Sequence, residues 1–265
     1  MKTWIIAACI AWMMACAGAA IAADKPVAQD GALRAEVVEA MAKLDFATLD
    51  ARADALLSSR ERLPDGRWKQ QMLLSFLGDD MQYRCHDDAC RRALMSAVEA
   101  YDRAHPGSHN AGLFHALALE REGWAARGSG YADSVSKEGW KIFRTRMEQA
   151  RTVLDQRRKA MASNPAWYAN RIDVSRVLDE SSEQARDLLE GGIRVEPRYF
   201  QLYFNGVDRE DPRWGGSVAA TLRFINDYGR RAPAADEEGL YARLLWHVIC
   251  CTPEVDVDPA LDWAA

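Results

Sequence analysis

"NPAWYANRIDVSRVLDESSEQARDLLEGGIRVEPRYF", residues 164–200, decides the fold. Apolar side chains recur at helical spacing over about 166–178 and again over about 182–194, and a polar break separates the two runs. At that break Ser181 is followed three residues later by Gln184. Such a pair lets the serine oxygen accept a first-turn N–H while the glutamine reaches back to the cap, so the stretch predicts helix, turn, helix. It also opens and closes on an echo: in "NPAWYANRI" from Asn164 and in "EPRYFQLYF" from Glu196, a proline is followed two residues later by an aromatic pair. Pro165 and Pro197 are 32 residues apart, near the roughly 34-residue period of one class of helical-hairpin repeat. Two units do not define a repeat array. Stacked antiparallel helical hairpins and an irregular helical bundle both stay open.

The same periodicity extends in both directions. Toward the N-terminus, Leu33, Val37, Val38 and Met41 form one stripe, and Phe46, Leu49, Ala53, Leu56 and Leu57 another. Pro64, Asp65 and Gly66 in "LPDGRW" make a turn before Trp68, Met72, Leu73, Phe76 and Leu77 resume the period. Further helices are predicted near 88–104, 109–127, 133–162, 198–205, 217–230 and 237–250. Ser108, Ser217 and Asp236 stand as their N-caps. Period-two alternation is scarce, so the chain is read as all-α.

Composition bounds the rest. The chain has 265 residues, 49% of them apolar, with nine tryptophans, enough for a sizeable core. Its formal net charge is -5, with acidic and basic residues interspersed, which excludes the one-sided basic face that nucleic acid requires. Residues 1–22 read as a signal peptide: Lys2, an apolar run from Trp4 to Cys16, then Ala20-Ile21-Ala22. The expectation is a periplasmic or secreted protein. Met13-Met14-Ala15-Cys16 loosely matches a lipidation box without its usual leucine, so an envelope lipoprotein anchored through Cys16 is the alternative. Residues 23–265 are expected to form a single helical domain. Within it, 23–104 is a candidate N-terminal subdomain packed on 105–251, and 252–265 a flexible tail.

Cys85, Cys90, Cys250 and Cys251 remain after the leader, an even count that favours disulfides in an exported chain. Three complete pairings exist for four cysteines. Inside one helix, residues five apart rise about 7.5 Å, too far for a bridge. Should Asp87 or Asp88 cap the next helix, Cys85 lies outside it and a Cys85–Cys90 bridge becomes feasible, the pairing favoured here. Staples from Cys250 and Cys251 to that pair are the alternative. With His86 and His247 these cysteines offer soft ligands, but no Cys-x-x-Cys spacing is present and no metal site is assigned. His109 and His115 are six apart and fall on different helical faces, which points to capping or packing.

Five motifs carry a likeness: "DGRW" (Asp65 to Trp68), "PGSHNA" (Pro106 to Ala111), "WAARGSGYADSV" (Trp124 to Val135), "GWKIF" (Gly139 to Phe143) and "PRWGGS" (Pro212 to Ser217). On these residues the chain resembles an uncharacterised bacterial family, a helical domain of unknown function that is tetratricopeptide-like in style. The resemblance covers most of the chain after the leader. It implies a fold and lends no catalytic residue.

Two of these motifs are also candidate ligand sites. Arg213 and Trp214 precede Gly215, Gly216 and Ser217, where a helix starts; first-turn N–H groups, a forked guanidinium and an aromatic platform can together hold an anion. The competing reading makes the segment a helix junction, with Arg213 paired to Asp208, Glu210 or Asp211. Trp124, Arg127 and Gly128 have the same ingredients, and the sharper expectation is that both Arg-Gly segments converge on one aromatic pocket. No phosphate loop, zinc-protease, nucleophile-elbow or dinucleotide motif occurs, and no cofactor is predicted. The acidic pairs at Asp87-Asp88, Asp208 to Asp211 and Glu237-Glu238 sit in polar junctions, where capping is the default. The leading functional expectation is a binding or scaffolding module with a protein or peptide partner. A small-molecule or anion-binding protein is the alternative, and an enzyme of unassigned class the second. A long aromatic groove, a pocket with both arginines turned inward, or a cluster of perturbed ionisable groups would respectively mark the three.

Overall fold

A computed structural model describes residues 26–130 and 132–251, with side chains for 31–130, 132–233 and 239–250. The expected leader at 1–22, Cys16 and the tail at 252–265 lie outside the described residues. Among the described residues eleven α-helices follow one another: α1 (Pro26–Ala42), α2 (Phe46–Ser59), α3 (Lys69–Tyr83), α4 (Asp88–Ala104), α5 (Ala111–Arg127), α6 (Lys137–Met161), α7 (Pro165–Val177), α8 (Ser182–Val195), α9 (Gln201–Arg209), α10 (Val218–Tyr228) and α11 (Ala234–Cys251). The only extended pairing among the described residues is an isolated bridge between Arg62 and Trp68 across the "LPDGRW" turn. The fold is all-α.

Side-chain caps set many of the boundaries. The capping box of α8 forms as the sequence spells it, with Ser181 accepting from the Gln184 N–H. Ser217 accepts from the Ala220 N–H at the start of α10. Several boundaries differ from expectation; the helix expected near 198–205, for one, spans Gln201–Arg209. Ser108 lies ahead of α5, and its hydroxyl oxygen accepts from the N–H groups of Asn110 and Ala111, so the helix begins later than 109. Ser136 accepts from the Gly139 N–H and starts α6 afresh, splitting the predicted 133–162 helix from a 3-10 turn at Ala132–Ser134. Finally α11 begins at Ala234, ahead of Asp236.

One continuous hydrophobic core runs from Leu33 to Val248. Leu33, Val37 and Met41 turn inward as expected, but Val38 is 45% exposed and Ala40 takes its place. A residue next to Val37 is rotated about 100° from it, and the stripe is too narrow to include both. Trp68 is buried, lies edge-on to Tyr199 at 5.5 Å, and donates its Nε1–H to the Arg198 carbonyl. Thus the "DGRW" and "EPRYF" motifs, far apart in sequence, meet in the core.

Each odd-numbered helix packs against the next, in the order α1, α3, α5, α7, α9, α11. Their starts are tied together by buried amides. Asn110, ahead of α5, donates to Asp50 (2.9 Å) and Asp54 (2.8 Å) of α2; Asn164, the cap of α7, donates to Asn110 Oδ1 (3.2 Å). Gln70 at the start of α3 donates to Asn164 Oδ1 (3.1 Å), and the Tyr199 hydroxyl, just ahead of α9, donates to Gln70 Oε1 (3.3 Å). The N-terminal ends of α3, α5, α7 and α9 therefore lie side by side.

Asp87 accepts from the Cys90 N–H at 2.7 Å and starts α4 at Asp88. That leaves Cys85 outside the helix, and Cys85 is bonded to Cys90 with their Cα atoms 5.3 Å apart. The favoured pairing is the one formed. Cys250 Sγ lies 3.8 Å from the His247 carbonyl oxygen.

Candidate functional site

The two Arg-Gly segments come together through their tryptophans. Trp124 on α5 and Trp214 in a 3-10 turn at Pro212–Trp214 meet edge-to-face with ring centroids 6.1 Å apart. Cations cover both rings: Arg127 lies over Trp124 (5.5 Å) and Trp140 (5.2 Å), and Arg176 of α7 over Trp214 (4.2 Å). The arginines are engaged within the protein. Arg127 donates to the carbonyls of Gly128 (3.0 Å) and Gly130 (3.1 Å), while Arg213 grips Asp211 through Nε (3.0 Å) and Nη2 (2.8 Å).

Backbone geometry accounts for the glycines. Gly128 and Gly215 have φ of 75° and 86°, which disfavours other residues. A Cβ on Gly216 would sit 2.1 Å from the Glu210 carbonyl oxygen, so only glycine permits that approach. The same carbonyl accepts from the Ser217 N–H and the Thr221 hydroxyl. Ser217 is spent as the α10 cap.

Beside this stack lies a polar cleft of about 280 Å³ that the sequence did not single out. Its wall comes from Gln71, Leu74 and Ser75 of α3, Leu117, Glu120 and Arg121 of α5, Ala169, Asn170 and Asp173 of α7, Gln201 and Asn205 of α9, and Tyr199. No even-numbered helix contributes. Asp173 bonds Arg176, the residue that covers Trp214, so the cleft adjoins the tryptophan pair.

Most polar groups of the lining are satisfied. Gln71 donates to Gln201 (2.5 Å), Gln201 to Asn205 (2.6 Å) and Asn205 to the Ala169 carbonyl (2.7 Å). Glu120 is the exception. It is 5% exposed, and its Oε1 has no hydrogen-bond partner. Arg121 Nε is likewise buried without a partner, its guanidinium lying against the backbone of Gly78 in α3. Burial, reinforced by the Asp173 charge and only partly offset by Arg121 and Arg176, pushes the Glu120 carboxyl up to about 8. A site with a buried acidic oxygen and a buried guanidinium nitrogen that no hydrogen bond satisfies can bind a ligand that completes both.

A signal for Glu120 exists in the sequence. In "GLFHALALEREGW" the stripe Leu113, Leu117, Glu120, Trp124 has helical spacing, and a carboxylate interrupts its apolar run. The other cleft residues are assembled from positions 71 to 205, a proximity that no local pattern reveals.

A second ionisable cluster is internally matched. Buried Asp102 accepts from Arg157 Nε (2.8 Å) and pairs with His115 Nδ1 (3.0 Å). Burial alone would raise its carboxyl, but these two partners hold it below the usual range. His109 sits 3.4 Å from Asp54 and His105 stacks on Tyr101, so the three histidines occupy separate sites. Among the described residues no group of three or more His, Cys, Asp or Glu side chains is placed to hold a metal ion, and no helix is long and apolar enough to cross a membrane.

Comparison with protein-family models, with curated proteins and with solved structures finds no match to the chain.

Proposed function

We propose that this protein is an exported helical binding module, tetratricopeptide-like in style, that takes a small polar ligand or the end of a polypeptide in the cleft between α3, α5, α7 and α9. One observation carries the reading: Glu120 is buried in the wall of that cleft and its Oε1 has no hydrogen-bond partner. A buried polar group left unpaired is costly, and folds retain such groups where a ligand completes them. The position agrees, because stacked helical pairs present their recognition surface on one layer of helices, and this cleft is walled by the odd-numbered layer alone. Export is supported by the leader-like residues 1–22 and by the Cys85–Cys90 bond, which persists in oxidising compartments.

The competing readings have less behind them. An anion at "PRWGGS" would have to displace the Arg213–Asp211 pair, in which two guanidinium nitrogens already bond the carboxylate. A long protein groove calls for a row of exposed aromatics, and none of the large exposed apolar side chains, Val38, Tyr83, Ile142, Trp246 and Ile249, lines the cleft.

The test is calorimetric titration with small probes of each charge class: propylamine, acetate, alanine, trialanine and glucose. The expected result is saturable binding by at least one, weakened by Glu120→Gln or Asp173→Asn. If none of the five binds, the cleft is not a ligand site.

A further inference from the structure

We infer that the occupant of this cleft is a primary ammonium beside a carbonyl or carboxylate, the chemistry shared by a free α-amino acid and the N-terminal residue of a peptide. The inference rests on the cleft being a ligand site. Its ground is the pair at Glu120 and Arg121. Neighbours on a helix point about 100° apart and do not face one another, so despite adjacency the Arg121 guanidinium offsets the burial of the Glu120 carboxyl only in part. No ion pair joins them, and each keeps a buried atom without a partner, Glu120 Oε1 and Arg121 Nε. A ligand with a positive and a negative end close together matches both at once.

The rest of the wall agrees with this polarity. Asp173 adds a second acidic group on the α7 side, and it is Asp173 that Arg176 bonds, leaving Glu120 as the carboxyl with an oxygen that no hydrogen bond satisfies. From α3 come the neutral polar groups Gln71 and Ser75, beside Leu74, and from the α9 side Gln201 and Asn205. These amides suit the N–H and C=O groups of a peptide bond. The volume, about 280 Å³, lies at the small end of ligand sites, fitting one or two residues and not a larger molecule.

Ligand charge is then coupled to protonation. Near neutral pH Glu120 is largely protonated in the empty cleft, because burial and Asp173 outweigh Arg121 and Arg176. An arriving ammonium favours the carboxylate, and the proton passes to solvent.

Calorimetry of the folded chain at about pH 7, in two buffers of different ionisation enthalpy, tests this. Trialanine or alanine should bind with release of a fraction of a proton up to one, and N-acetyl-trialanine should bind at least about tenfold more weakly. Glu120→Gln should lose a similar factor and abolish the proton release, and Glu120→Asp should restore part of both; circular dichroism establishes that each variant is folded. Tighter alanine identifies a free amino acid as the source, tighter trialanine a peptide end. If N-acetyl-trialanine binds as well as trialanine, or if glucose or acetate alone binds, the ammonium assignment is wrong while the cleft remains a ligand site. Propylamine binding as tightly as alanine removes Arg121 from the site. Failure of every probe overturns the inference and the cleft together.

Discussion

At the scale of single residues, Glu120 makes stability depend on pH in an unusual direction. Its folded carboxyl is raised to about 8 from an ordinary 4.5, so between those values the folded protein holds a proton that the unfolded chain releases. Stability from this group is complete below the unfolded value and is lost as pH rises through the folded one. Glu120→Gln does not titrate. The variant should therefore gain stability relative to the parent between about pH 5 and about pH 9, read from urea midpoints; a constant offset would place the charge in solvent. The residues of "PRWGGS" allow a second prediction. Gly216→Ala drives a methyl into backbone and should cost about 1–3 kcal/mol by urea denaturation. Gly215→Ala meets no atom and bears only its left-handed φ, about 1 kcal/mol. Equal costs would deny the close approach. This segment was partly legible: Ser217 was readable as a cap and Arg213 as paired to one of three nearby carboxylates, of which Asp211 is the partner. The approach of Gly216 to Glu210 was not, since it depends on how the chain doubles back.

Among elements, the amides at the helix starts decide how α3, α5 and α7 are held together. Asn164 serves at once as the α7 cap, the acceptor for Gln70 and the donor to Asn110 and the His109 carbonyl. Asn164→Ala should cost about 2–4 kcal/mol, more than an isolated cap, because it strands Gln70 and Asn110 in the core. A loss near that of a simple cap would show those partners finding others. The Cys85–Cys90 bridge closes a short loop, so replacing both cysteines by serine should cost only about 2 kcal/mol in chemical denaturation. At this scale the sequence was a good guide wherever a side chain terminates its own helix, as at Ser181 and Asp87. It failed where the choice was made elsewhere. The 133–162 pattern is continuous in apolar period, and only the Ser136 cap divides it. Nothing local to Asn110 or Asn164 marks it as a buried link; tertiary packing makes them so.

Over the whole molecule, the issue is whether residues up to 104 form a separate unit. Stacked helical arrays can unfold piecemeal when each unit touches only its neighbours. Here contacts bridge the length of the chain: Trp68 bonds the Arg198 carbonyl 130 residues away, and Gln71 bonds Gln201 at the same separation. The core is continuous, and the cleft itself is walled by four helices drawn from both halves. Unfolding should accordingly be one transition, with far-UV circular dichroism and tryptophan fluorescence following the same curve. Separated curves would mean that α1 to α4 melt independently. The two outcomes also differ in what a ligand does. If the cleft exists only when both halves are joined, a probe that binds it must raise both curves together, by an amount that grows with the logarithm of its concentration above its Kd. A probe that shifts the fluorescence curve alone would be binding near a tryptophan and not between the four helices.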